Sequence, residues 1–92
     1  MTIYTKDFVK DPQAEKDYTV DWTDWLGADS ISTSSWALPD GITRVSDSTV
    51  AGNKLTRIWV SGGTPPNDYE CFNTITTAGG RTERAMIKIQ VR

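Results

Sequence analysis

Between Ala85 and Val91 the chain alternates without a break. Ala85, Ile87, Ile89 and Val91 fall on one side; Arg84, Met86, Lys88 and Gln90 fall on the other. Successive side chains of a strand point to opposite faces, so this pattern describes a strand in a sheet that is dry on one face and wet on the other. The pattern starts further back. Leu55 to Val60 puts Ile58 and Val60 together, opposite Arg57 and Trp59, and a later stretch puts Tyr69, Cys71 and Ile75 on one face with Asn73 between them. Glycine and proline mark the breaks, in Ser61-Gly62-Gly63-Thr64-Pro65-Pro66-Asn67-Asp68 and in Ala78-Gly79-Gly80. The expected unit is a C-terminal meander of three adjacent antiparallel strands. Its apolar face needs a second layer, which the rest of the chain must supply.

The earlier residues read as strands too. Residues 1–12 hold Ile3, Tyr4, Phe8 and Val9 and stop at Asp11-Pro12, where proline ends the segment. This segment suits either a first strand on an edge or an exposed docking arm. Asp17 to Trp22 alternates, with Tyr18, Val20 and Trp22 inward. Thr23 to Asp29 is expected to be a loop in which Trp25 either caps the core or presents an interface anchor. Ile31 to Leu38 is a third strand, and Pro39-Asp40-Gly41 is a turn. Ile42 to Val45 gives a short fourth strand, and Thr49-Val50 a marginal further one before the turn at Ala51 to Lys54. No helical periodicity competes with this reading. The fold expected is all-β, an antiparallel sandwich of about seven strands, in a single domain spanning residues 1–92.

With 92 residues the chain has room for one modest core, burying ~60–65% of the surface its unfolded form exposes. No apolar run approaches the ~20 residues that span a bilayer. Met1 to Asp7 has neither a basic n-region nor an apolar segment, so no signal peptide is expected. A single cysteine, Cys71, allows no internal disulfide. The net charge is -2, and Lys and Arg are scattered rather than gathered in a stripe. Nucleic-acid binding needs a concentrated basic footprint, so neither a nucleic acid nor a membrane is an expected partner.

Tyr69 and Cys71 carry a more specific signal. In immunoglobulin-like domains a tyrosine stands two residues before the second cysteine of strand F, and its hydroxyl bonds back to the backbone of the preceding corner. Pro65 to Asp68 could build that corner here, and Trp36 stands where the strand C tryptophan would fall. The first cysteine is missing; Tyr18, Val20 and Trp22 would fill its place with bulk. The sequence therefore resembles an immunoglobulin-like sandwich without its disulfide.

A narrower resemblance rests on Lys10-Asp11-Pro12, Asp17 to Leu26 with its Asp-Trp-x-Asp-Trp-Leu segment, Ile31 to Trp36 and Pro39 to Ile42. It continues through Ile58 to Thr64, with the Ser-Gly-Gly-Thr segment, then Tyr69, Asn73 to Thr77, Gly80-Arg81 and the last strand. These residues resemble small bacteriophage fiber–tail adaptor proteins of the Gp77-like kind. The resemblance implies a virion structural protein that joins tail or neck to peripheral fibers, assembled in the host cytoplasm. Its implied partners are other tail, neck or fiber proteins, with a homo-oligomer in the particle left open. It brings no catalytic residues with it.

The residues themselves offer little chemistry. The chain has no histidine, which removes histidine-dependent triads and the common zinc–histidine sites. Cys71 lies on an inward strand face, where cysteine behaves as a small hydrophobe. Asp17 and Asp21 share a strand face roughly 13 Å apart, beyond the ~5–9.5 Å of a glycosidase pair. Asp21, Asp24 and Asp29 could remain solvated or converge on a weak cation; they lack the spacing of a calcium loop. No enzyme activity, cofactor or metal is expected. The interface candidates are Tyr4, Phe8, Trp25 and Trp59, and the core candidates are Trp22, Trp36, Tyr69, Cys71, Ile87 and Ile89. Four tryptophans leave one alternative function, a carbohydrate-binding module that stacks sugars on exposed indoles such as Trp25 and Trp59.

Overall fold

The computed structural model describes the backbone of residues 2–92 and the side chains of residues 6–92. Among the described residues there are seven strands: β1 (Thr2–Lys10), β2 (Lys16–Asp21), β3 (Ile31–Ala37), β4 (Ile42–Val50), β5 (Leu55–Gly62), β6 (Asp68–Thr77) and β7 (Thr82–Val91). One helical turn, α1 (Thr23–Leu26), follows β2. The strands form a four-stranded sheet, in the order β1-β7-β6-β3, and a three-stranded sheet, in the order β2-β5-β4. Tyr18, Val20, Ile58 and Val60 from the smaller sheet share one buried core with Cys71, Ile75, Ile87 and Ile89 from the larger. The result is a sandwich-like all-β fold.

The alternation of β7 is kept throughout, with Ala85, Ile87, Ile89 and Val91 buried and their neighbours partly or fully exposed. The expected meander is not formed. β6 and β7 make an antiparallel hairpin, but β5 pairs with β2 and β4 in the opposite sheet. Gly63 to Asn67 carries the chain across a gap that face-to-face sheets hold at ~10 Å. Both sheets turn an apolar face to the same core, so the alternation in β5 is satisfied in either one.

Nor is every pair antiparallel. β1 runs parallel to β7, with Phe8 opposite Ile89 and Lys10 opposite Val91. The strand after β1 belongs to the other sheet, so no hairpin dictates its direction. The expected fourth and marginal strands are one, β4, with a register shift between Arg44 and Ser46. Val45 is the extra residue, and a bulge of this kind lets a strand continue through it. The segment after Trp22 begins as a helical turn instead of a loop. Leu26 N–H donates to Trp22 O at 2.8 Å, Gly27 N–H to Thr23 O at 3.1 Å, and the Asp21 carboxylate accepts the Thr23 N–H at 2.9 Å.

A buried polar network ties the sheets together where no disulfide can. Trp22, 1% exposed at the end of β2, donates its indole N–H to Thr56 Oγ1 on β5 and to Asn73 Oδ1 on β6, both at 3.2 Å. Thr56 Oγ1 donates to the same Asn73 oxygen at 2.7 Å. Asn73 Nδ2 then donates to Ser34 Oγ at 2.9 Å and to Ser35 O at 3.0 Å, both on β3. Buried polar groups are tolerated when each finds a partner, and a satisfied network fixes one arrangement of the core.

Candidate protein-interaction surfaces

One end of the sandwich is closed around Tyr69. Its ring is buried, and its hydroxyl accepts the Thr64 backbone N–H at 2.9 Å. That bond, first, draws the phenol pKa below its ordinary value. Gly41 makes room for the ring, and Gly63 makes room for the neighbouring Val91. A Cβ on Gly41 would lie 3.0 Å from Tyr69 Cε1, and one on Gly63 would lie 2.6 Å from Val91 Cγ2. Both glycines also have positive φ, 102° and 95°, a region that side chains disfavour. The Pro-Asp-Gly and Ser-Gly-Gly-Thr segments therefore meet at one tyrosine.

The opposite end is braced around Trp25. Its ring meets Trp22 edge-on at 5.5 Å, and the Arg81 guanidinium lies over it at 4.3 Å. Arg81 also pairs with Asp29 at 3.2 Å and donates to Leu26 O at 3.0 Å. Lys54 Nζ donates to Gly27 O and to Asp29 O. Asp29 accepts the Ser30 and Gly79 N–H groups as well. Hydrogen bonds, first from Thr77 and then from Ser30, hold its carboxyl at about 2. Asp21 is lowered too, by its bonds with Thr23. The acidic groups are thus engaged separately, and among the described residues no cluster of three could hold a metal ion.

Phe8 is partly buried, its ring 4.6 Å from that of Tyr18. Residues 2–10 lie as β1 on the chain's own sheet; the side chain of Tyr4 is outside the described residues. Lys10, only 1% exposed, donates Nζ to Gly62 O at 2.7 Å and to Asp11 O at 2.9 Å. It pins the end of β1 to the end of β5. Trp59 lies on the outer face of the smaller sheet, 39% exposed, with Val45 of the neighbouring bulge 49% exposed and Val9 on β1 66% exposed. Trp36 is partly buried, with its indole nitrogen buried and without a partner among the described residues. Cys71, Ile87 and Ile89 are fully buried. Burial pushes the Cys71 thiol up to about 12, so no thiolate forms near neutral pH.

These positions separate the aromatic candidates. Trp25 has one face under Arg81 and an edge against Trp22, so it offers no flat platform for a sugar beside Trp59. Lys10, Asn73 and Arg81 are not among the candidates that the sequence singles out. Asn73 had a usable signal, since an amide between Cys71 and Ile75 on an inward face must find buried partners. Lys10 and Arg81 had none, because Gly62 O, Leu26 O and the Asp29 carboxylate lie in segments distant from them in sequence.

The polar side chains of this small sandwich largely hold its own loops and sheets together. A family model described as podophage GP4 fiber-tail adaptor protein gp77 matches residues 10–90, and the chain belongs to that family of phage structural proteins. The comparison with curated proteins finds no match.

Proposed function

We propose that this protein is a non-enzymatic adaptor of the virion, joining tail or neck to peripheral fibers through protein contacts. The observation that carries the reading is the family match over residues 10–90, whose description is that of a fiber-tail adaptor. Partners are other tail, neck or fiber proteins, and the site of assembly is the host cytoplasm. We read the fold as immunoglobulin-like, which suits a rigid spacer. The orders β2-β5-β4 and β7-β6-β3 support that reading, since strands B-E-D and G-F-C of that fold have the same order, and so does the Tyr69–Thr64 bond, which has the partners of a tyrosine corner. β1 is the departure from the constant-type pattern, since it joins the G-F-C side.

Among the interface candidates, Trp59 presents the most accessible indole, with Val45 beside it. Phe8 and Trp25 offer only the surface their own neighbours leave open, and Tyr4 joins them through its place on the same edge strand. Exposed aromatics at the centre of an interface often contribute ~2 kcal/mol or more when truncated. Complementation of a phage lacking the gene tests the reading directly. Particles made without the chain should lack fibers and contain intact tails. Fibered, infectious particles without it would overturn the adaptor role.

A further inference from the structure

Each sheet ends in two strands with an open side: β1 and β3 in the larger, β2 and β4 in the smaller. An open side carries unpaired backbone groups that invite another strand, and proteins guard it with charge, bulges or inward-pointing ionic groups. Three of the four are guarded. β1 carries Lys6, Asp7 and Lys10, and β2 carries Lys16, Asp17 and Asp21. β4 is bulged at Val45 and holds the Arg44–Asp47 ion pair. β3, Ile-Ser-Thr-Ser-Ser-Trp-Ala, has no charge and no proline. Its register shift lies at its start, between Ile31 and Thr33, which leaves Ser34 to Ala37 regular. Among the described residues, no backbone–backbone bond outside the β6 ladder reaches Ser32 to Ala37; of their carbonyls, Ser35 O accepts the Asn73 side-chain amide from within the same sheet.

The same strand ends at a groove. A space of about 550 Å³ opens beyond Ala37 on the outer face of the larger sheet, with Leu38, Pro39 and Phe72 as its apolar walls. Asp68, Glu70 and Lys88 supply its polar side. Asp68 is paired with Arg92 at 2.9 Å, and Lys88 stands between Glu70 on β6 and Asp7 on β1, so one negative charge is in surplus there.

We propose that the open side of β3 receives an extended segment of a partner protein as an added strand. One apolar side chain of that segment sits over Leu38 and Phe72, and a basic one sits beside Glu70. The proposal rests on the adaptor reading and names its surface. Strand addition takes affinity from main-chain bonds and specificity from side-chain pockets next to the edge. A second copy of this chain fits less well as the occupant, because its own β3 has no basic residue to meet Glu70.

The test uses assembled particles. A photoreactive benzophenone side chain is placed at Ala37 and, as a control, at Ser48 on the guarded β4. Crosslinking from Ala37 alone, to a different virion protein, is the expected result. Crosslinking from Ser48 alone, from neither, or from Ala37 to a second copy overturns the proposal. Ser35→Lys on the open strand and Glu70→Arg at the groove should each lower incorporation by roughly tenfold, because like charge is forced against the partner. Their unfolding temperatures should stay at the wild-type value, and Glu70→Arg leaves β3 itself untouched. Folded variants that both incorporate normally overturn the proposal while leaving the adaptor role standing. Absence of the wild-type chain from particles removes the adaptor role, and the proposal with it.

Discussion

Two polar networks hold this molecule, and they differ in almost every physical respect. The Trp22–Thr56–Asn73 network is buried, largely neutral, and spans both sheets. The Asp29–Arg81 network is ionic, partly exposed, and joins the α1 segment to the β6–β7 turn. A buried donor that loses its partner bears the full desolvation penalty, whereas water replaces a lost partner at the surface. The interior network should therefore dominate stability although it contains no ion pair. The surface network should govern the placement of Trp25 and the response to acid.

The sharpest way to break this contrast is Asn73→Ala. It removes the acceptor shared by Trp22 and Thr56 and leaves a small cavity, so a loss of ~3 kcal/mol is expected in denaturant melts. If Arg81→Ala proved equally destabilising, the burial argument would fail. A smaller effect is expected at the far corner. Tyr69→Phe leaves the Thr64 N–H without its acceptor and should cost ~1–2 kcal/mol, and equal midpoints for the two proteins would count against the corner bond. Cys71→Ala should cost a comparable ~1–2 kcal/mol through the space it leaves. The native thiol should react with a bulky thiol reagent only after unfolding; fast labelling of the folded protein would contradict its burial.

The smallest effect separates the networks by pH. Asp29 has a folded pKa of about 2 against an ordinary 3.8. The unfolded chain therefore binds the proton first on acidification. The stabilisation from Asp29 is complete above the unfolded value and is lost as pH falls from about 4 toward about 2. Thermal melts across that window should show Asp29→Asn flattening the acid limb. Asp21, shifted in the same direction, should keep a residual slope. Added salt should weaken the Asp29–Arg81 pair and leave the Asn73 network unaffected. An acid limb identical in Asp29→Asn and wild type would assign the effect to other carboxylates.

The alternation in Ala85 to Val91, Tyr18 to Trp22 and Tyr69 to Ile75 was enough to establish strands, their buried faces and an all-β chain, because side-chain direction in a strand is a local property. The Tyr69 spacing and the Pro65 to Asp68 segment likewise pointed to a corner before any packing was known. Sheet membership was a different matter. Leu55 to Val60 would look the same beside β6 or across the core from it, since both sheets face one interior. Only the crossing at Gly63 to Asn67 decides between them. The parallel docking of β1, the burial of Lys10 against Gly62 O, and the cover of Arg81 over Trp25 were also settled by tertiary structure alone. Each depends on a carbonyl or ring brought near by segments far apart in the chain, and no local pattern encodes that proximity. The open side of β3 belongs to both levels: its lack of charge can be read in Ser32 to Ala37, but its place at the end of a sheet cannot.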